Sequence, residues 1–119
     1  MAKITAIERT INTIKTRWRD GKTLKEIAGR HRVDAGNLER AFHRREGVTI
    51  KQFIDQQRRA YLLSRLVDLK LYGHEIGTQM GFPSKRAFYR WVRRAFGISF
   101  TTLRVQARDN AATKRDDKK

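Results

Sequence analysis

The chain repeats itself. Glu26-Ile27 returns as Glu75-Ile76 at an offset of 49, and beyond one extra turn residue the offset becomes 50. At that spacing Leu38 and Arg40 answer to Phe88 and Arg90, and Phe42 and Arg44 to Val92 and Arg94. Gly47-Val48-Thr49 returns as Gly97-Ile98-Ser99, and Phe53 as Leu103. Matched apolar, basic and glycine positions mean that one supersecondary unit is built twice. With 119 residues and 39% apolar content, the chain supports one ordinary domain or two very small subdomains, without a deep substrate vault.

The repeated unit reads as helical. Thr23 is an N-cap with Glu26 as its reciprocal partner, and Leu24, Ile27 and Ala28 form the stripe of a short helix ending near His31. After the Arg32-Val33 break, Asp34 caps a second helix that carries Leu38, Ala41, Phe42 and Arg45 and stops at Gly47. Two short helices joined by a tight turn form a helix-turn-helix pattern. Ahead of it, Ile4, Ile7, Ile11, Ile14 and Trp18 recur at steps of three and four and predict a first helix that stops at Asp20-Gly21. Between the copies, Phe53, Ile54, Ala60, Tyr61, Leu62, Leu63 and Leu66 are available for burial on a helix from about Ile50 to Leu66. No segment alternates long enough to propose a strand. The expected architecture is therefore all-α, with about seven helices in two helix-turn-helix subdomains (residues 1–49 and 67–107) joined by a linker helix (50–66). A polar tail over 108–119, with no apolar face to bury, is expected to be disordered.

Charge narrows the partners. There are 28 Lys and Arg against 12 Asp and Glu, a net charge of +16, which points to a polyanion: nucleic acid first, an acidic membrane surface second. No apolar run approaches the roughly 18 residues of a membrane span, and Met1-Ala2-Lys3-Ile4 lacks the core of a signal peptide, so a cytoplasmic protein is expected. Cysteine is absent, which excludes disulfides, thiolate metal sites and cysteine nucleophiles. His31, His43 and His74 make no metal-spaced set, and Ser64, Ser84 and Ser99 have no base placed by a motif. Neither a catalytic centre nor a cofactor is expected, and Ser84 reads as an N-cap.

With Leu38 turned inward, steps of 100° per residue turn Gly36, Arg40 and His43 outward, with Asn37, Glu39 and Arg44 on the flanks. From Phe88, the same exercise turns Arg86, Arg90 and Arg93 outward, flanked by Lys85, Tyr89 and Arg94. Arginine can chelate guanine O6 and N7, and asparagine can pair with adenine N6 and N7. Glu39 suits cytosine N4 or, equally, an ion pair that orients Arg40 or Arg44. Helical spacing favours core packing for Trp91, while Tyr72 could stack on bases only if exposed. Between Glu75 and Asp109 there is no acidic residue, whereas Lys85, Arg86, Arg90, Arg93, Arg94, Arg104 and Arg108 are all cationic. Phosphate attraction should weigh more heavily on the second copy.

The second copy, Ile76 to Ser99, resembles the signature of the AraC/XylS transcription regulators. It has the Gly81-Phe82 turn, Phe88-Tyr89-Arg90 in the second recognition helix, then Arg93-Arg94 and Phe96-Gly97-Ile98-Ser99, with Arg104 as the closing arginine. The likeness covers roughly Thr23 to Arg104. Phe100 departs from the family's usual proline, and Leu62 and Arg65 from its usual alanine and leucine in the linker helix. The resemblance implies family base-contact positions at Gly36, Asn37, Glu39 and Arg40 and at Lys85, Arg86, Tyr89 and Arg90. It further implies double-stranded DNA as the partner, RNA polymerase as a contact, and activation of transcription on the bacterial nucleoid. The chain is similar to the short MarA/SoxS-type members, which implies a monomer without a small-molecule effector domain. Rival readings are the DNA-binding arm of a recombinase or transposase, for which the length leaves no catalytic domain, and a nonspecific nucleoid or RNA-binding protein. A linker of about 17 helical residues spans roughly 25 Å, which with the flanking helices approaches the ~34 Å repeat of the duplex.

Overall fold

All but one of the described α-helices begin at a side chain that accepts an orphan amide. In the computed structural model, which describes residues 5–68 and 70–116, Thr5 accepts the Glu8 amide at 3.1 Å and opens α1 (Ala6–Arg17). A short 3-10 turn (Trp18–Asp20) follows. Thr23 accepts the Glu26 amide at 3.1 Å ahead of α2 (Leu24–Arg30), and Asp34 accepts that of Asn37 at 2.8 Å ahead of α3 (Ala35–Glu46). Thr49 and Gln52 exchange hydrogen bonds at 2.9 and 3.1 Å, a capping box at the head of α4 (Ile50–Arg65). The second copy then runs through α5 (Gly73–Gln79), α6 (Lys85–Phe96) and α7 (Phe100–Asp116). Ser84 caps α6 through the Ala87 amide at 3.1 Å, and Ser99 caps α7 through that of Thr102 at 3.2 Å. Among the described residues the fold is all-α, with seven α-helices and no strand.

The chain divides into two compact units, Met1–Gln57 and Arg58–Lys119, so the division falls inside α4 and each unit receives part of that helix. In the first unit Ile11, Ile14, Ala28, Leu38, Phe42 and Ile50 form the core, with Phe53 and Ile54 packed against it. Lys15 on α1 pairs with Glu46 at the end of α3 at 2.6 Å. In the second unit Leu62, Leu66, Ile76, Met80, Phe88 and Val92 are fully buried, and Tyr61 donates to Gln79 at 2.6 Å. Leu62 is thus an inward position and Arg65 an outward one, its guanidinium over the Tyr61 ring at 5.2 Å. Leu63, expected among the residues available for burial, is half exposed, because Leu62 and Leu66 take the inward face of α4.

The repeat holds atom by atom in the turns. In the first copy Val33 donates to Ala28 and Arg32 to Gly29, and in the second Phe82 donates to Gly77 and Gly81 to Thr78. Both are Schellman turns, whose left-handed residue is Arg32 (φ 53°) in one copy and Gly81 (φ 89°) in the other. Gly47 and Gly97 close α3 and α6 at φ 77° and 75° and donate to His43 and Arg93.

One correction concerns the C-terminal end. The segment from residue 108, expected to be disordered, is helical as far as Asp116. Packing of Phe100 and Leu103 supplies the costly first turns, and Ala107, Ala111 and Ala112 propagate the helix at low conformational cost. The remainder of that tail, residues 117–119, lies outside the described residues, as does Ile4 of the first stripe. Among the described residues no helix is long and apolar enough to cross a membrane.

The two short helices α2 and α5 give opposite answers to one substitution. A Cβ built on Gly77 would stand 2.6 Å from Phe88 Cγ and 2.8 Å from its Cβ, and Phe88 is fully buried. Such overpacking costs about 1–3 kcal/mol, against a helix-propensity gain of up to about 1 kcal/mol, so Gly77→Ala should lose about 1–2 kcal/mol. Gly29 in α2 has nothing within 4 Å of its Cβ position, so Gly29→Ala should instead gain about 0.5–1 kcal/mol. Urea denaturation of the two variants checks both signs.

Candidate nucleic-acid interface

The outward face of α3 is set by Leu38 and Phe42, both fully buried, which leave Asn37, Arg40, His43 and Arg44 exposed and Gly36 and Glu39 partly covered. Three of the sequence-derived site residues come together at its N-terminal end. The side-chain amide oxygen of Asn37 (Oδ1) accepts a short hydrogen bond from Arg40 Nη2, and the same guanidinium lies beside Gly36. A Cβ on Gly36 would meet Arg40 Nη1 at 3.4 Å and the Asp34 carboxylate at 3.2 Å. The side-chain amide of Asn37 thus holds one arginine head beside Gly36, so it has less freedom to lose on binding. Asn37 and Arg40, weighed separately as readers of adenine and guanine, act here as a coupled pair. Among the described residues no ion pair joins Glu39 to Arg40 or Arg44.

In α6, Phe88 and Val92 are fully buried, and Lys85, Arg86, Arg90, Arg93 and Arg94 are all exposed. Arg86, Arg90 and Arg93 recur at four and three residues and share one face. None of these five, nor Arg40 or Arg44, has an acidic partner among the described residues. Tyr89 is different. Although 39% exposed, its ring packs edge-on against Phe100 at 5.9 Å and tilted against Phe88 at 5.2 Å. Its hydroxyl lies so close to Gly73 that a Cβ there would stand 2.7 Å away. The residue therefore joins α5, α6 and α7 as well as bordering the outward face. Trp91 packs against Phe82 and Phe96 at 5.4 and 6.0 Å, the core role its spacing suggests, and Tyr72 is 68% exposed with its ring stacked on His74.

Arg104 also leaves the set of phosphate attractors. Its Nε donates to the Leu66 carbonyl at 2.9 Å and Nη2 to that of Asp68 at 3.2 Å, while the head lies 4.9 Å from the Phe100 ring centre. The i, i+4 spacing of Phe100 and Arg104 was the available signal for that stacking; the carbonyl partners, more than 30 residues away, had none. Among the described residues no group of three or more histidines and carboxylates could hold a metal ion.

Two capped helices that offer basic faces behind tight turns form the frame of a double helix-turn-helix. A family model described as "Helix-turn-helix domain" matches residues 27–106, two thirds of the chain and both turns. The chain belongs to the AraC-type helix-turn-helix family. It is, accordingly, a DNA-binding domain of the transcription-regulator class. No curated protein matches it in sequence.

Solved structures share the AraC-type fold at low identity. The C-terminal domain of AraT, a response regulator from Geobacillus stearothermophilus, has a TM-score of 0.72 at 20% identity over 88% of each chain. The C-terminal domain of the two-component response regulator yesN from Fusobacterium nucleatum scores 0.70 at 23% identity, over 83% of this chain and 97% of that one. The DNA-binding domain of AdpA, a global transcriptional factor solved in complex with a target DNA, scores 0.71 at 19%, over 88% and 95%.

Proposed function

We propose that this AraC-type chain recognises a specific double-stranded DNA sequence, with α3 reading base edges in one major groove and α6 anchoring in another. The observation that carries this reading is the Arg40 head held beside Gly36 by Asn37. A nonspecific phosphate contact needs no such positioning, whereas chelation of guanine O6 and N7 does. The five exposed cations of α6 supply phosphate attraction and further guanine contacts. The chain acts as a monomer on nucleoid DNA and regulates transcription by contacting RNA polymerase, a reading supported by its family and testable by sedimentation of the free protein.

Selection of bound sites from random duplex DNA, followed by competition, tests the specific part. Arg40→Ala should relax base preference within one block of the site and cost roughly 1–3 kcal/mol on the preferred duplex. Random duplex should be affected much less. Equal loss on specific and random DNA would favour a packaging protein that reads only the backbone.

A further inference from the structure

Apart from either recognition face, the first unit contains a crevice of about 540 Å³ between α1, the 3-10 turn, α2 and the start of α4. Its walls include Ile14, Trp18, Ile27 and Ile54, and none of the recognition side chains of α3 lines it. That volume lies in the ordinary range of small-molecule sites. Its rim is basic. Arg17 pairs with Asp20 at 3.0 Å and Lys22 with Glu26 at 3.9 Å, which accounts for both acids. Lys25 and Arg30 remain on the rim without an acidic partner among the described residues, and His31 stands beside them.

An apolar interior with an indole in its wall accepts a planar ring, and an uncompensated pair of cations at the mouth accepts an anionic group. We propose that this crevice binds a small aromatic carboxylate, with the ring against Trp18 and the isoleucines and the carboxylate toward Lys25 and Arg30. A bare anion gains nothing from the interior, and a neutral aromatic gains nothing from the rim, so only the amphipathic acid uses both halves. Gly29, Arg30 and His31 lead into the turn ahead of α3, so an occupant braces the joint from which the recognition helix springs. The site requires no DNA, and its test is independent of the DNA reading above.

The experiment is a heteronuclear NMR titration of the full chain, without DNA, using naphthoate, its neutral analogue naphthalenemethanol, and inorganic phosphate. Naphthoate should saturably shift the Trp18 indole and the Ile27 and Ile54 methyls, and the alcohol should bind about tenfold more weakly at the same signals. A double variant, Lys25→Gln with Arg30→Gln, should weaken naphthoate about tenfold and leave the alcohol unchanged. Both residues are exposed, so the variant keeps its fold, which its remaining resonances verify. Equal affinity for acid and alcohol would overturn the proposal. So would naphthoate shifts confined to the cations of α6, Trp18 shifts reproduced by phosphate alone, or the absence of saturable binding.

Discussion

Raising the salt from 50 to 200 mM should weaken duplex binding by roughly 10³–10⁵-fold, with the logarithm of the affinity falling linearly against that of the salt concentration. The expectation rests on cations that nothing in the free protein neutralises. Arg40 and Arg44 on α3, and Lys85, Arg86, Arg90, Arg93 and Arg94 on α6, are exposed and carry no ion pair among the described residues. Each that meets a phosphate releases condensed counterions and adds about 0.9 to the slope, so roughly 6–10 contacts give the range above. Arg93→Ala should therefore weaken binding to every sequence alike and lower the slope by about one. Arg40→Ala should change discrimination more than slope. Affinity measured across the salt series on a selected site and on random duplex separates the two; a flat response would show that the basic faces do not meet phosphate.

Arg104→Ala should cost about 2–4 kcal/mol of stability, a loss of the size expected from truncating a core residue. Its guanidinium satisfies the carbonyls of Leu66 and Asp68, just past the end of α4, where helical partners have run out. Hydrogen bonds to a charged group contribute about 1.5–3 kcal/mol each, and the stacking on Phe100 adds about 0.5–1 kcal/mol. The two sets of bonds share one side chain, so they do not add in full. Arg104→Lys should recover less than half, because one ammonium cannot present two parallel donors over an aromatic face. Urea denaturation gives the magnitude, and a loss below about 0.5 kcal/mol would remove Arg104 from the structural role. Because this head faces carbonyls, its removal should leave the salt slope nearly unchanged, in contrast to Arg93.

What could be read in advance was local. Thr23, Asp34 and Ser84 as caps, Gly47 and Gly97 as stops, and Leu38, Phe42, Phe88 and Val92 as inward positions each depend on neighbours within four residues. Such signals survive in a one-dimensional string. The outward cations of α6 were legible for the same reason, since a helical wheel needs only one buried anchor. Tyr89 and Arg104 were not, because what a side chain folds back onto belongs to other helices: Gly73 and Phe100 for the tyrosine, the end of α4 for the arginine. Nor did the pattern couple Asn37 to Arg40, although they stand three residues apart; each was weighed as a reader of its own base, not as a partner. The final turns of α7 were missed because the tail was judged by its lack of an apolar stripe. A helix already seeded by Phe100 and Leu103 needs none to continue.

The two left-handed turns carry their costs in different places. Gly81 takes φ 89° without strain, and its cost lies in the unfolded chain, whose extra freedom is worth about 0.4–1 kcal/mol. Arg32 takes φ 53° against its own Cβ, and about 1 kcal/mol of strain stays in the native state. Opening the turn locally releases the strain of Arg32 and frees the backbone of Gly81 alike. The two copies therefore hold the same joint at a similar cost of about 1 kcal/mol, the first as strain at Arg32 and the second as chain freedom given up at Gly81.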